Sequence, residues 1–257
     1  MVIIFYALER EITPFKRTLP ASSRFETGGL AGWRARLFAT ELVMVATGVG
    51  LRRSTESVKR ALETFPDPTL VISTGVCGAL RAELRPGTIV VADRLIMASS
   101  DAERFEEVPV ASGQIALIRR ALATCRLPIV IGPTLSVRHV LPDGASKQHA
   151  HRESGAIAVD MESAAIAREC QKENVPFAYV RAVLDARDDL LLGPGIIDKT
   201  GHIRILKAVA SLLLNPPALL TLWRLVKNMS LATANLSQAL TAITAQHADH
   251  SRTNQGS

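Results

Sequence analysis

Ala158-Val159-Asp160-Met161-Glu162-Ser163-Ala164-Ala165 decides how this chain is read: a short β-branched run ends in two carboxylates and passes directly into small, helix-compatible residues. A charged side chain where a strand hands over to a helix stands where binding sites are commonly built. Glu162 can accept two hydrogen bonds at once, as the vicinal 2′- and 3′-hydroxyls of a ribose require, and Met161 offers a soft apolar surface for a sugar face. Alone, the same residues also describe an ordinary helix start, with acids near the positive end of the helix dipole.

Outward from this segment, β-branched runs recur at Val2 to Leu8, Leu42 to Thr47, Leu70 to Ser73, Thr88 to Ala92, Ile129 to Gly132, Ile157 to Asp160 and Phe177 to Val183. Helical spacing lies between several of them, at Ser54 to Phe65, Ser112 to Cys125 and Met161 to Glu173. This alternation predicts an α/β fold in which helices flank a parallel or mixed central β-sheet. Ligands gather at the carboxyl ends of strands in such sheets, and Thr47, Thr74, Glu162 and Asp185 all fall there. The turn Thr47-Gly48-Val49-Gly50 precedes a helix, so its amides could form an anion nest beside Arg52 and Arg53; a plain tight turn reads the same way.

Composition bounds the classes. With 257 residues and 47% hydrophobic content, the chain can bury a single large core. The net charge of +6 permits an anionic partner, but two Tyr and two Trp, with no interleaved basic and aromatic residues, argue against nucleic acid. Cys77, Cys125 and Cys170 have no metal-ligand spacing and read as free thiols in a reducing compartment, so no metal is expected. Val2 to Leu8 lacks a basic n-region and reads as a buried strand, not a signal peptide. No complete G-x-G-x-x-G follows it, which disfavours a dinucleotide enzyme.

Two further segments join the first. Ser73-Thr74-Gly75-Val76-Cys77-Gly78-Ala79-Leu80 is similar to an NTGSAGGL-type loop, and Val180-Arg181-Ala182-Val183-Leu184-Asp185 to a VRAISD-type strand; the opening segment is similar to a VDMESAA-type signature. In this order, over roughly residues 1 to 190, the chain resembles the purine nucleoside phosphorylase and methylthioadenosine/S-adenosylhomocysteine nucleosidase superfamily. The resemblance implies a phosphorylase/hydrolase-like fold and cleavage of an N-glycosidic bond. It makes Asp185 the general acid on the imidazole-ring nitrogen of the base, Glu162 the grip on the ribose hydroxyls and Met161 the residue packed on the sugar. By register in Ala7-Leu8-Glu9-Arg10-Glu11, Glu11 takes the place of the acid that helps activate water.

In Ser136 to Pro142 it places Val140 at a base-stacking position often aromatic, and Leu141 where the backbone reads the adenine edge. Thr74, Cys77 and Gly78 come to line the substrate, and Thr47, Gly48, Gly50 and Arg52 to hold phosphate or water. Val76 occupies a serine position of the family loop, so a hydroxyl for the nucleophile is lost. Water and inorganic phosphate, the latter as co-substrate, both remain open; no other cofactor is implied.

Beyond Asp185 the resemblance thins. Residues 203–231 form an apolar helical extension interrupted at Asn215-Pro216-Pro217, which predicts two helices joined at Asn215. The uninterrupted run is too short to span a bilayer, but basic flanks around Leu213, Leu219, Leu222 and Trp223 fit a peripheral membrane contact or a lipid-sized pocket. Core or oligomer packing explains them equally. With Val159 to Ala165 and Leu184-Asp185-Ala186-Arg187-Asp188, this region resembles the hopanoid-associated phosphorylase-like subfamily, which implies removal of adenine from adenosylhopane. The alternatives are a methylthioadenosine/S-adenosylhomocysteine nucleosidase and a non-catalytic nucleoside-binding or membrane-associated module. A single domain over 1–245, a disordered tail over 246–257, a homo-oligomer and a cytoplasmic place, soluble or peripheral at the inner membrane, complete the expectations.

Overall fold

A computed structural model of the chain describes residues 1–98, 105–189 and 216–255. Its strands are β1 (Val2–Tyr6), β2 (Ser22–Thr27), β3 (Leu30–Leu37), β4 (Thr40–Ala46), β5 (Leu70–Ala79), β6 (Ile89–Ala98), β7 (Phe105–Pro109), β8 (Ile129–Ser136), β9 (Ala158–Asp160) and β10 (Phe177–Asp185). The helices are α1 (Glu9–Thr18), α2 (Leu51–Thr64), α3 (Ser112–Leu122), α4 (Gly144–Ser154), α5 (Ser163–Lys172) and α6 (Pro216–Gln255).

All ten strands belong to one mixed sheet. Five of them close on themselves: β5 pairs β10 in parallel, β10 pairs β6 antiparallel, β6 and β8 pair in parallel, as do β8 and β9, and β9 returns antiparallel to β5. From β5 the sheet continues through β1, β4, β3 and β2. The expected mixed sheet between helices is therefore present.

Successive side chains on a strand face opposite sides, so a sheet covered on both faces needs unbroken apolar strands. Val2, Ile4 and Tyr6 face α1, α3 and α6 with Ile12, Phe15, Ile118, Leu236 and Leu240. Ile3 and Phe5 face the opposite layer with Val58, Ala61, Ile166 and Cys170 of α2 and α5. Each such side chain, fully buried, contributes roughly 1.5–3 kcal/mol.

Several strands run further than their apolar runs predict. β5 continues to Ala79, β6 to Ala98 and β8 to Ser136. The segment read as a glycine loop, Ser73 to Ala79, is thus strand. Its small and polar residues reflect the cavity it borders, not a turn.

The C-terminal end also departs from expectation. Gln246 to Gln255 continues α6 instead of forming a disordered tail. Ala232, Leu236, Ala239, Leu240 and Ile243 recur on one helical stripe and are fully buried, and His247 carries the packing onward through a 2.9 Å hydrogen bond with Thr69. The expected junction at Asn215 and residues 203–215 lie outside the described residues. In the remainder of the predicted apolar extension, Trp223, Val226 and Leu231 are exposed.

Candidate active site

A cavity of about 190 Å³ opens near the carboxyl ends of β1, β5, β8, β9 and β10. Glu11, Cys77, Gly78, Val140, Leu141, Met161, Glu162 and Asp185 all line it, which brings together eight of the residues singled out in the sequence. Val140 is half exposed at the mouth, while Cys77 is a buried thiol whose pKa burial pushes up to about 12, too high for a nucleophile.

Glu162 sits at the β9–α5 junction, and Asp160 makes that junction. One Asp160 oxygen accepts the backbone N–H groups of Glu162 and Ser163, each at 3.0 Å, and the Ser136 hydroxyl at 2.7 Å. The helix-start reading of the motif thus belongs to Asp160, which leaves Glu162 to turn into the cavity. There the Gly50 N–H donates to one Glu162 oxygen at 3.1 Å, and Arg181 pairs with the other at 3.2 Å. Burial drives the Glu162 pKa up to about 7; Arg181 pulls it down, while Asp160 and Glu11 oppose that pull.

Arg181 was not among the expected site residues. It projects from β10 at 2% exposure, donating to the Val76 carbonyl at 3.0 Å and lying 3.6 Å from Asp160, an ion pair and not a hydrogen bond. Burial opposes its charge, but Asp160 and Glu162 outweigh burial and raise its pKa further. A lone arginine inside Phe177-Ala178-Tyr179-Val180-Arg181-Ala182-Val183 was the available signal, because a two-faced buried strand admits a cation only with carboxylates to meet it.

Asp185 ends β10 at 6% exposure. Lys147, on α4 and 1% exposed, donates to an Asp185 oxygen and, at 2.9 Å, to the Ala186 carbonyl. Burial raises the Asp185 pKa; Lys147 counters it through charge and hydrogen bond, and Asp189 adds to the rise. Lys147 was likewise missed, and Gly144-Ala145-Ser146-Lys147-Gln148-His149 carries no apolar periodicity that would flag even the helix.

Glu11 occupies another part of the cavity wall. One of its oxygens accepts from Ala7 N at 3.1 Å and Leu8 N at 2.8 Å, the other from Val76 N at 3.2 Å. The two glycines of β5 make room for the acids: a Cβ on Gly75, whose φ is +135°, would stand 2.9 Å from the Glu11 carboxylate, and one on Gly78 would stand 3.3 Å from that of Asp185. Two residues, Val76 and Cys77, separate these glycines, so three steps of strand span about 10 Å at about 3.3 Å per step, the reach of a sugar joined to a base.

The remaining expected residues do not enter this cavity. Thr74 is fully buried, its hydroxyl donating to the Val180 carbonyl at 2.9 Å, so it ties β5 to β10. The Thr47 hydroxyl faces the carbonyls of Gly48 at 2.8 Å and Tyr6 at 3.2 Å. In the turn of Gly48 and Gly50, the Gly50 amide is taken by Glu162 and is not open to an anion. Arg52 is 85% exposed and pairs with Glu56 at 3.3 Å. Gly50 and Arg52 instead border a second, wider cavity of about 720 Å³, with Arg53, Arg138 and Arg168; Val49 lines both cavities. Among the described residues, no cluster of His, Cys, Asp and Glu could hold a metal ion, and no helix is long and apolar enough to cross a membrane.

The family model described as the phosphorylase superfamily matches residues 2–211. The chain belongs to the phosphorylase superfamily. A 5′-methylthioadenosine/S-adenosylhomocysteine nucleosidase of Staphylococcus aureus is 28% identical over 197 residues, which cover 72% of this chain and 86% of that protein. Among solved structures, the nucleosidase of that name from Helicobacter pylori superposes with a TM-score of 0.75 at 19% identity, covering 95% of this chain and 97% of its own. Futalosine hydrolase of Helicobacter pylori gives 0.75 at 18%, covering 95% and 96%. These likenesses establish the fold, and superfamily membership makes the chain an enzyme of N-glycosyl bond cleavage, as the three sequence motifs implied.

Proposed function

We propose that this enzyme hydrolyses the N-glycosidic bond of a 5′-substituted adenosine, and the observation that carries the reading is the placing of three buried carboxyls around one cavity. Asp185, whose pKa burial raises, retains a proton to give to the imidazole-ring nitrogen of the leaving adenine. As the C–N bond breaks, its electron pair leaves with the base and the sugar takes on oxocarbenium character. Glu162, fixed by Arg181 and Gly50, accepts the two ribose hydroxyls. A water held by Glu11 bonds to the anomeric carbon and gives a proton to that carboxylate; Glu11 then releases this proton to solvent, and Asp185 regains one from it.

Charge favours water over phosphate. Of the two cations that line the cavity, Arg181 is paired with Asp160 and Glu162, and Lys147 is held by the Asp185 carboxyl and the Ala186 carbonyl, so a phosphate dianion would meet the Glu11 and Glu162 carboxylates. The same carboxylates suit a developing oxocarbenium ion. The cavity is smaller than the ~300–1,000 Å³ of sites that enclose a drug-sized ligand, so the 5′ substituent extends beyond it.

For that substituent we put adenosylhopane first, on the sequence resemblance and on the exposed apolar Trp223 and Val226 of α6. S-adenosylhomocysteine or methylthioadenosine is the second reading. It is supported by the similarity to nucleosidases of those compounds and by Arg53 and Arg138 on the adjoining cavity, which suit the carboxylate of S-adenosylhomocysteine. A binding module without catalysis is disfavoured by the buried acid it would retain. Incubating the protein with each of the three nucleosides, with and without phosphate, and measuring adenine decides among these. Adenine with free ribosyl product, unaffected by phosphate, is expected; phosphate-dependent release with a sugar phosphate would refute hydrolysis, and no release from any of them would refute catalysis.

A further inference from the structure

Lys147 is an expensive residue in its place. It is the fourth residue of α4, in the turn after the Asp143 cap, where the helix dipole disfavours a cation, and it is almost wholly removed from water. Nothing in the helix calls for it, since Gln148 and His149 beside it face solvent. Its hydrogen-bond partners are the Asp185 carboxyl, which ends β10, and the Ala186 carbonyl just after it, while the Asp143 and Asp188 carboxylates feel its charge from nearby. It also lines the cavity.

Resting on the reading of Asp185 as the leaving-group acid, we infer that Lys147 is a positioning residue that strengthens this acid as the glycosidic bond breaks. When the Asp185 O–H bond breaks and the base N–H bond forms, a carboxylate is left in a dry site. The Lys147 ammonium is already in place beside it, so the charge is met without rearrangement and more strongly after proton transfer than before. The other groups facing this carboxyl do not supply that help. Cys77 on β5 is a buried neutral thiol, and Asp189 in the turn after β10 adds negative charge. Asp188 in the same turn lies beside Gly144 and is held by Arg187.

Lys147 lowers the Asp185 pKa, so its removal raises it: the acid keeps its proton to higher pH yet gives it up less readily. In folded Lys147→Met, the Asp185 carboxyl, followed by carbon NMR, should titrate about one pH unit or more higher than in the parent. With 5′-methylthioadenosine as probe, kcat should fall roughly a hundredfold with KM little changed, and the alkaline limb of kcat/KM should move upward. Lys147→Arg, which keeps the charge, should leave the Asp185 titration near its original place. Lys147→Gln serves in the same titration if the Met variant does not fold. An Asp185 titration unmoved in the folded neutral variants overturns the inference. The titration needs no turnover, so it decides the role of Lys147 even if no nucleoside is cleaved, which would instead be the failure of the proposed function.

Discussion

Glu162 and Asp185 are both carboxyls withdrawn from water, and their neighbours set them to opposite tasks. Glu162 must be charged to accept two hydroxyls, and its pKa near 7 means activity should rise as pH climbs through about 7. Asp185 must keep its proton, so it governs the alkaline fall; a bell-shaped kcat/KM profile with its acid limb near 7 is the expected measurement. Asp185→Asn should remain folded and lose roughly a hundredfold or more in turnover. Near-normal adenine release by that variant would remove the acid from Asp185. The Glu162 shift also bears on stability. A carboxyl whose pKa is higher folded than unfolded contributes stability below its unfolded value of 4.5 that is lost as pH rises toward about 7. Relative to Glu162→Gln, the parent should therefore lose melting temperature as pH rises from about 5 to about 8, and the variant should lose the preference for ribosides over 2′-deoxyribosides; a difference independent of pH would contradict the sign. Both carboxyls were legible in the sequence because each ends a β-branched strand. Arg181 and Lys147 were not singled out, because a cation's role depends on which distant acid the fold sets beside it.

At the scale of elements, legibility followed hydrophobic runs. β1, β4, β8 and β10 carry such runs and were found. No such run marks β2 or β3, since Ser22-Ser23-Arg24-Phe25-Glu26-Thr27 is an exposed outer strand and β3 buries only Leu30, Gly32 and Leu37. α1 was hidden behind the charged Glu9-Arg10-Glu11, and α4 has almost no apolar side at all. The apolar run of β5 ends at Ser73, though its glycine-bearing half is what makes room for both acids. Gly75→Ala puts a methyl group against the Glu11 carboxylate on a backbone with φ +135°, and should cost roughly 1–3 kcal/mol together with most of the activity. Unchanged melting and turnover would show that β5 can shift to accommodate it. On α6, Trp223 and Val226 are 63% and 61% exposed, so Trp223→Ser with Val226→Ser should leave the melting temperature nearly unchanged. If that face serves the lipid substrate, release of adenine from adenosylhopane falls while release from methylthioadenosine does not. Equal rates on both would remove the lipid role from this face.

For the molecule as a whole, α6 is the element whose loss reaches furthest. It packs on α1, α3 and β10, and Leu240 is fully buried among Ile4, Ile72 and their neighbours under the strands that carry the site. Leu240→Ala should cost about 2–5 kcal/mol, read as a lowered urea midpoint with the slope of the transition unchanged. The five-strand closure of β5, β10, β6, β8 and β9 has a further consequence of its own. A hoop has no loose end, so a strand in it cannot slip by one residue without forcing its neighbours around the whole circuit to follow. Mechanical disturbance of the cavity wall is therefore resisted until the hoop opens, and adenine release and strand content should vanish together on heating, in one step, with no warm, slack, half-active form between.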